Sequence, residues 1–131
     1  MVVLLDSIKA FDTVWHDALL LKLFQYGIIG DLWLLLDEMY SDMQNCILFN
    51  CNFYRWFKLK RGVRQGVFIS AVLYLVYSND LLRQISESNF GCMMNDLNVS
   101  SSVQADDITL VTTSELRMQS LISMCEVYSN K

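Results

Sequence analysis

The sequence predicts an α+β fold in which a sheet is covered by helices on one face. Three observations lead there. Strand-like and helix-like segments alternate along the chain, the helical segments are long and apolar, and 131 residues suffice for one domain with a real core but not for two.

The segments follow in order. Residues 2–6, VVLLD, read as a buried strand, so apolar that it calls for neighbours on both sides. A helix over 17–26 places Leu19, Leu20, Leu23 and Tyr26 at helical spacing, and Gly27 closes it. Asp31 can cap a second helix through about residue 43, burying Trp33, Leu36 and Tyr40. Residues 46–49 and 56–59 suit a strand pair around an Asn/Cys/Asn turn. The loop 62–66 is flanked by Arg61 and contains Arg64, and Ser70 can cap a long helix to about residue 86 with Leu73, Val76, Tyr77 and Leu81 inward. Short strands at 93–94 and 99–103 surround Asn95-Asp96, and a β-branched strand covers 108–113. A last helix, 115–128, buries Leu116, Leu121, Met124 and Val127. Proline is absent, so glycine and Asn/Asp/Ser clusters supply the breaks.

Composition narrows the function classes. With 53% hydrophobic and 18% charged residues the chain is globular. Its longest apolar run, VFISAVLYLVY, is shorter than the roughly 18 residues a membrane span needs. VVLL is followed at once by Asp6 and Lys9 and has no basic leader, so we expect a nuclear or cytoplasmic protein that is not secreted. Four cysteines without a CxxC pair and a single histidine give a zinc cluster little support and fit reduced thiols. A net charge of −4 argues against strong nucleic-acid binding by the chain alone.

Three carboxylates stand out beside apolar strands. Asp6 ends VVLLD, and Asp106 and Asp107 fall between two strands, where a hairpin turn is expected. An isolated Asp-Asp is ordinarily a solvated turn. Carboxylates brought close together repel unless a cation joins them, and oxygen donors without histidine or cysteine suit Mg²⁺ before Mn²⁺. Two such ions can drive in-line phosphoryl transfer.

The neighbours of these acids carry a resemblance. DSIKAFDTVWHDALLLKL resembles the first polymerase motif of LINE-type (non-LTR) retrotransposon reverse transcriptases, which runs D-x-x-K-A-F-D-x-V-x-H-x-x-L-x-x-K-L. RGVRQGVFISAVLYLVYSNDLL resembles the second, and QADD the third, whose usual form is Y-A-D-D. All three stand in the family's order, and the resemblance covers essentially the whole chain. It implies a polymerase-palm-like antiparallel sheet with helices on one face, residues 1–131 being a partial reverse transcriptase domain. It implies RNA-directed DNA polymerase activity, with an RNA template, a DNA primer and deoxynucleoside triphosphates as partners and two Mg²⁺ ions as cofactors. Asp6, Asp106 and Asp107 take the place of the metal ligands. Phe11 takes that of a steric gate under the incoming sugar, Gln65 and Gly66 line the nucleotide pocket, and Arg64 lies near template or nucleotide. Lys9 and Asp12 read as a local charge pair, and His16 as a polar residue at its helix start rather than a ligand.

Departures from the family pattern temper the expected activity. Gln104 replaces the tyrosine before A-D-D, Ala71 replaces a proline, and Val67 and Phe68 are bulkier than the usual residues after Q-G. Fingers would precede residue 1 and a thumb would follow residue 131, so we expect a truncated fragment, inactive alone and binding nucleic acid weakly. Two rivals are a non-catalytic remnant kept as an interaction module and an unrelated Mg²⁺ phosphohydrolase. The second lacks a glycine-rich phosphate cradle.

Overall fold

In the computed structural model, which describes residues 1–129, the chain divides into two units, Met1–Ile8 with Ser78–Lys131, and Lys9–Tyr77. Each has its own core.

The first unit is built on β1 (Val2–Asp6), β8 (Ser101–Gln104) and β9 (Asp107–Val111), an antiparallel sheet in the order β1-β9-β8. Alternation decides its two faces. Ile108 and Leu110 of β9 point inward, with Val3 and Leu5 of β1 and Val103 of β8, against Leu81 and Ile85 of α4 (Phe68–Glu87) and Met118 and Leu121 of α5 (Glu115–Ser129). The helices thus lie on one face of the sheet. Among the described residues β1 is an edge strand with one partner, and Val2 and Leu4 on its other face are 63% and 76% exposed. The fully buried strand expected for 2–6 is therefore half-buried, because only one face meets helices.

Two further expectations shift here. β6 (Met93–Met94) pairs with β7 (Leu97–Asn98) across Asn95-Asp96, and not with 99–103, which becomes β8 in the main sheet. In α5 the inward stripe is Met118, Leu121, Ile122, Met124 and Cys125, so Leu121 and Met124 lie as expected, whereas Leu116 and Val127 are 83% and 61% exposed. Apolar residues at both spacings were present, and the sheet selected one stripe. Gly91 is required by a close approach: a Cβ there would meet the Ser100 Oγ at 1.6 Å.

The second unit is mainly helical. After the single turn α1 (Ala10–Thr13), α2 (His16–Gln25) packs against α3 (Asp31–Ser41) and the first half of α4 around Leu19, Leu23, Leu36, Tyr40 and Leu73. α2 ends in a Schellman arrangement, with Ile28 N–H donating to the Leu23 carbonyl and Gly27, at φ +83°, donating to that of Phe24. Asp31 is the first helical residue of α3 rather than its cap, a place taken by Gly30. Ser70 likewise lies within the first turn of α4, 2% exposed and bonded to the Tyr40 hydroxyl, so it packs rather than caps. A two-tier hairpin completes the unit: β2 (Gln44–Asn45) pairs with β5 (Phe57–Lys58), and β3 (Leu48–Phe49) with β4 (Asn52–Phe53). Asn50 and Cys51, at φ +48° and +60°, make its turn, as two-residue hairpins require.

A carboxylate pair on the sheet and a basic cleft

Asp6 closes β1 and Asp107 opens β9, and the register makes them direct partners, with Leu5 opposite Ile108 one step before. Leu5 and Ile108 face the helices, so Asp6 and Asp107 share the open face, both exposed. Opposed residues of an antiparallel pair have Cα atoms about 4.5–5.5 Å apart. Like charges so placed oppose folding by roughly 0.2–1 kcal/mol, less as solvent screens them. Among the described residues no ion pair or hydrogen bond relieves Asp6, Asp106 or Asp107.

The turn differs from the sequence expectation in one respect. Its two residues are Ala105 and Asp106, closed by the pairing of Gln104 with Asp107, so Asp107 belongs to the strand. This follows from the length of the β9 ladder, which continues to Asp107 because β1 offers it a partner at Asp6. Ala105 sits at φ +56°, a region that costs a residue with a Cβ about 1–2 kcal/mol. Strain of this kind collects at functional turns. Nothing in the sequence signals it, since alanine is not a turn residue.

The three acids form a facing pair and a chain neighbour, not a finished cage. Among the described residues no three His, Cys, Asp or Glu side chains are gathered closely enough to hold a metal ion. The charged donors at this edge are carboxylate oxygens, which in kind suit a hard cation such as Mg²⁺. Gln104, opposite Asp107 and exposed, adds a neutral amide to the same open face.

The remaining candidates lie in the second unit. Arg64 and Gln65 line a cleft of about 390 Å³ together with Asp12, Asn45, Leu59 and Arg61. Gln65 Nε2 donates to Asp12 Oδ1 at 3.1 Å. Asp12 is thus held by an amide rather than by the charge pair with Lys9 that its spacing suggests. Gly66, just beyond the cleft lining, has φ +79° with open space where a Cβ would stand, so conformation rather than crowding calls for glycine. Phe11 is half-buried against Tyr74, with ring centroids 5.4 Å apart. Phe68 is 89% exposed and Val67 46%, so neither fills this unit's interior.

Two buried groups brace the loop that carries Arg64. His16 Nε2 donates to the Gly62 carbonyl at 2.8 Å, and its ring packs 5.0 Å from that of Tyr40. Burial pushes the Tyr40 hydroxyl above its usual pKa, against an opposing pull from the Arg64 guanidinium and from Ser70. Arg61 and Asn45 were not singled out as site residues by the motifs. The loop's second arginine was the available signal for Arg61, while Asn45 reaches the cleft only through the β2–β5 pairing.

Comparison with known proteins bears on what these groups can do. Residues 1–131 match the family described as reverse transcriptase (RNA-dependent DNA polymerase). The chain is 26% identical over 132 residues to a retrovirus-related Pol polyprotein from type-1 retrotransposable element R2 of Popillia japonica, covering 99% of this chain and 22% of that protein. It is 28% identical to the corresponding R2 polyprotein of Nasonia vitripennis, covering 95% of this chain and 12% of the relative. It is 29% identical to the transposon TX1 uncharacterized 149 kDa protein of Xenopus laevis, covering 95% and 10%. The chain therefore spans between about a tenth and about a fifth of the length of these relatives. From its first residue to its last, the chain belongs to the reverse transcriptase family, of the non-LTR retrotransposon kind.

Proposed function

We infer that this chain supplies the palm-like carboxylate centre of an RNA-directed DNA polymerase. The observation that carries the reading is the direct opposition of Asp6 and Asp107, unrelieved by any cation among the described residues, beside a strained turn that bears Asp106. In this reading Asp6, Asp107 and Asp106, next along the chain, would be the residues that hold the metal. When bound, two Mg²⁺ ions supply the Lewis acidity that activates a primer 3′-hydroxyl and stabilises departing pyrophosphate. The chain's own part is to fix the acids in register on a packed sheet, so that little reorganisation is needed when charge develops. Arg64, Gln65 and Gly66 take the nucleotide or template, Arg64 offering a planar donor fork for phosphate oxygens. Phe11 acts under the sugar as a steric gate.

Positioning of primer end and triphosphate supplies about 7–11 kcal/mol of barrier reduction in well-oriented reactions. With relatives several times longer, we assign much of that grip to the whole polyprotein, and the isolated chain is expected to be inactive. The test is to place the chain in an R2-type relative in exchange for its matching segment and assay extension of a primer on RNA. Extension that vanishes with Asp106→Asn and Asp107→Asn supports the reading. Extension that survives the loss of both acids ends it.

A further inference from the structure

The two edges of the main sheet are unlike. β8, at one edge, is Ser101-Ser102-Val103-Gln104 and presents mostly polar side chains. β1, at the other, is Val2-Val3-Leu4-Leu5-Asp6, apolar until its last residue. Its pairing with β9 runs from Val2 to Asp6 without a bulge. Sheet edges are ordinarily blunted by lysine, proline, a bulge or a cover, because a bare row of N–H and C=O groups recruits another strand. Among the described residues β1 has none of these protections, and Val2, Leu4 and Asp6 are all exposed.

The register fixes which groups that row contains. The Met1 amine donates to the Thr112 carbonyl and the Thr112 N–H to that of Met1, so Met1 turns its backbone groups toward the β9 side. Alternate residues of a strand turn theirs the same way, so Val3 and Leu5 bond to Leu110 and Ile108 opposite them. Val2, Leu4 and Asp6 therefore turn their N–H and C=O groups to the free edge.

This row is self-complementary. About a twofold axis at Leu4, an antiparallel second copy sets Leu4 against Leu4 and Val2 against Asp6 in both directions, so each of these groups gains a partner. Moving the axis to Val3 or Leu5 takes Asp6 or Val2 out of the ladder. Asp6 meets an apolar residue across this pairing and not its own copy, so no like charges are opposed. The side chains agree: Leu4 lies against its counterpart on the open face, and Val3 lies across from Leu5 of the second copy on the face that the helices cover.

We propose that β1 pairs antiparallel with β1 of a second copy of this chain, joining two three-stranded sheets into one of six strands. The pairing does not rest on the carboxylate reading, since it uses only the backbone of Asp6 and no metal. So short a ladder buries less than the roughly 1,200–2,000 Å² of a standard interface, so association is weak and concentration-dependent.

The test uses the full 131-residue chain in chelator. Sedimentation over a rising concentration series is expected to move from 15.2 kDa toward twice that mass. Leu4→Lys opposes two like charges at the axis and removes the leucine contact, weakening association about fivefold or more. Its unfolding midpoint at low concentration stays that of wild type, because Leu4 is 76% exposed. A second pair of variants reads the register, with the four native cysteines changed to serine. Leu4→Cys sets two thiols on residues whose Cα atoms lie about 5.5 Å apart, within disulfide reach, so mild oxidation yields a crosslinked dimer. Val2→Cys stays uncrosslinked, because its counterpart is roughly 14 Å away. A chain that stays monomeric at every concentration overturns the proposal, as it would if this edge took a strand from elsewhere in a longer polyprotein. Association that Leu4→Lys leaves unchanged, or Val2→Cys crosslinking as readily as Leu4→Cys, overturns it too.

Discussion

The two units of this chain bear opposite electrostatic characters on different scaffolds. The sheet unit carries eight acidic and three basic residues; the helical unit carries six acidic and seven basic. In the sheet unit the charge that matters is fixed by register, since a one-residue slip of β1 against β9 would send Asp6 to the other face. In the helical unit the charge rides on a hairpin and a loop whose side chains point to solvent. The difference teaches that two charge patterns have different origins: register on a packed sheet sets the first, and the composition of one exposed segment sets the second.

The largest effect should come from breaking the support of the sheet. Leu110 is fully buried, and Leu110→Ala should cost about 2–5 kcal/mol in denaturant unfolding. Leu4, on the same sheet but 76% exposed, should change stability by no more than about 0.5 kcal/mol on the same substitution. Comparable losses at both positions would mean that the open face of the sheet is covered.

The helical unit should respond to alkaline pH instead. Burial raises the folded-state pKa of Tyr40 above its unfolded value near 10. Its contribution to stability is therefore complete below about pH 10 and lost as pH rises through the folded pKa. Unfolding midpoints measured from pH 8 to 11 should fall above pH 10, and Tyr40→Phe should shallow that fall. A Tyr40→Phe profile parallel to wild type would contradict the assignment.

Much of this was legible in the sequence because it is local. The motif order, the strand VVLLD, the Asn/Cys/Asn turn and the α2 stop at Gly27 each depend on neighbours within a few residues. Asp6 and Asp107 could be nominated from the sequence, yet their opposition depends on a register set across about a hundred residues. In α5 the inward places of Leu121 and Met124 were legible, but not the choice of Met118 over Leu116: both are apolar, and only the sheet decides between them. The acid-free run 43–79 was obscured by averaging, because net charge sums over the whole chain.

Smaller effects sharpen the account of the acid pair. Without metal, Asp107→Asn should stabilise the protein by up to about 1 kcal/mol, or about 2–6 °C in Tm, by removing a like-charge opposition. Mg²⁺ at tenfold its Kd should add about 1.4 kcal/mol to the wild type and nothing to this variant. Ala105→Gly should add about 0.5–1 kcal/mol by relieving the left-handed turn, and a loss instead would show that the alanine side chain packs where it stands.

The most direct measurement of the central claim is a titration of the isotopically labelled chain with Mn²⁺, followed by paramagnetic broadening of its amide signals. The account predicts that signals of residues 4–6 and 104–108 broaden first, and that Asp6→Asn with Asp107→Asn abolishes this. The acids Asp37, Glu38 and Asp42, which line an open groove in the helical unit, provide the internal comparison. Broadening centred on those residues, or unchanged around Asp107 when the facing pair is removed, would contradict the assignment of the sheet acids as the metal centre.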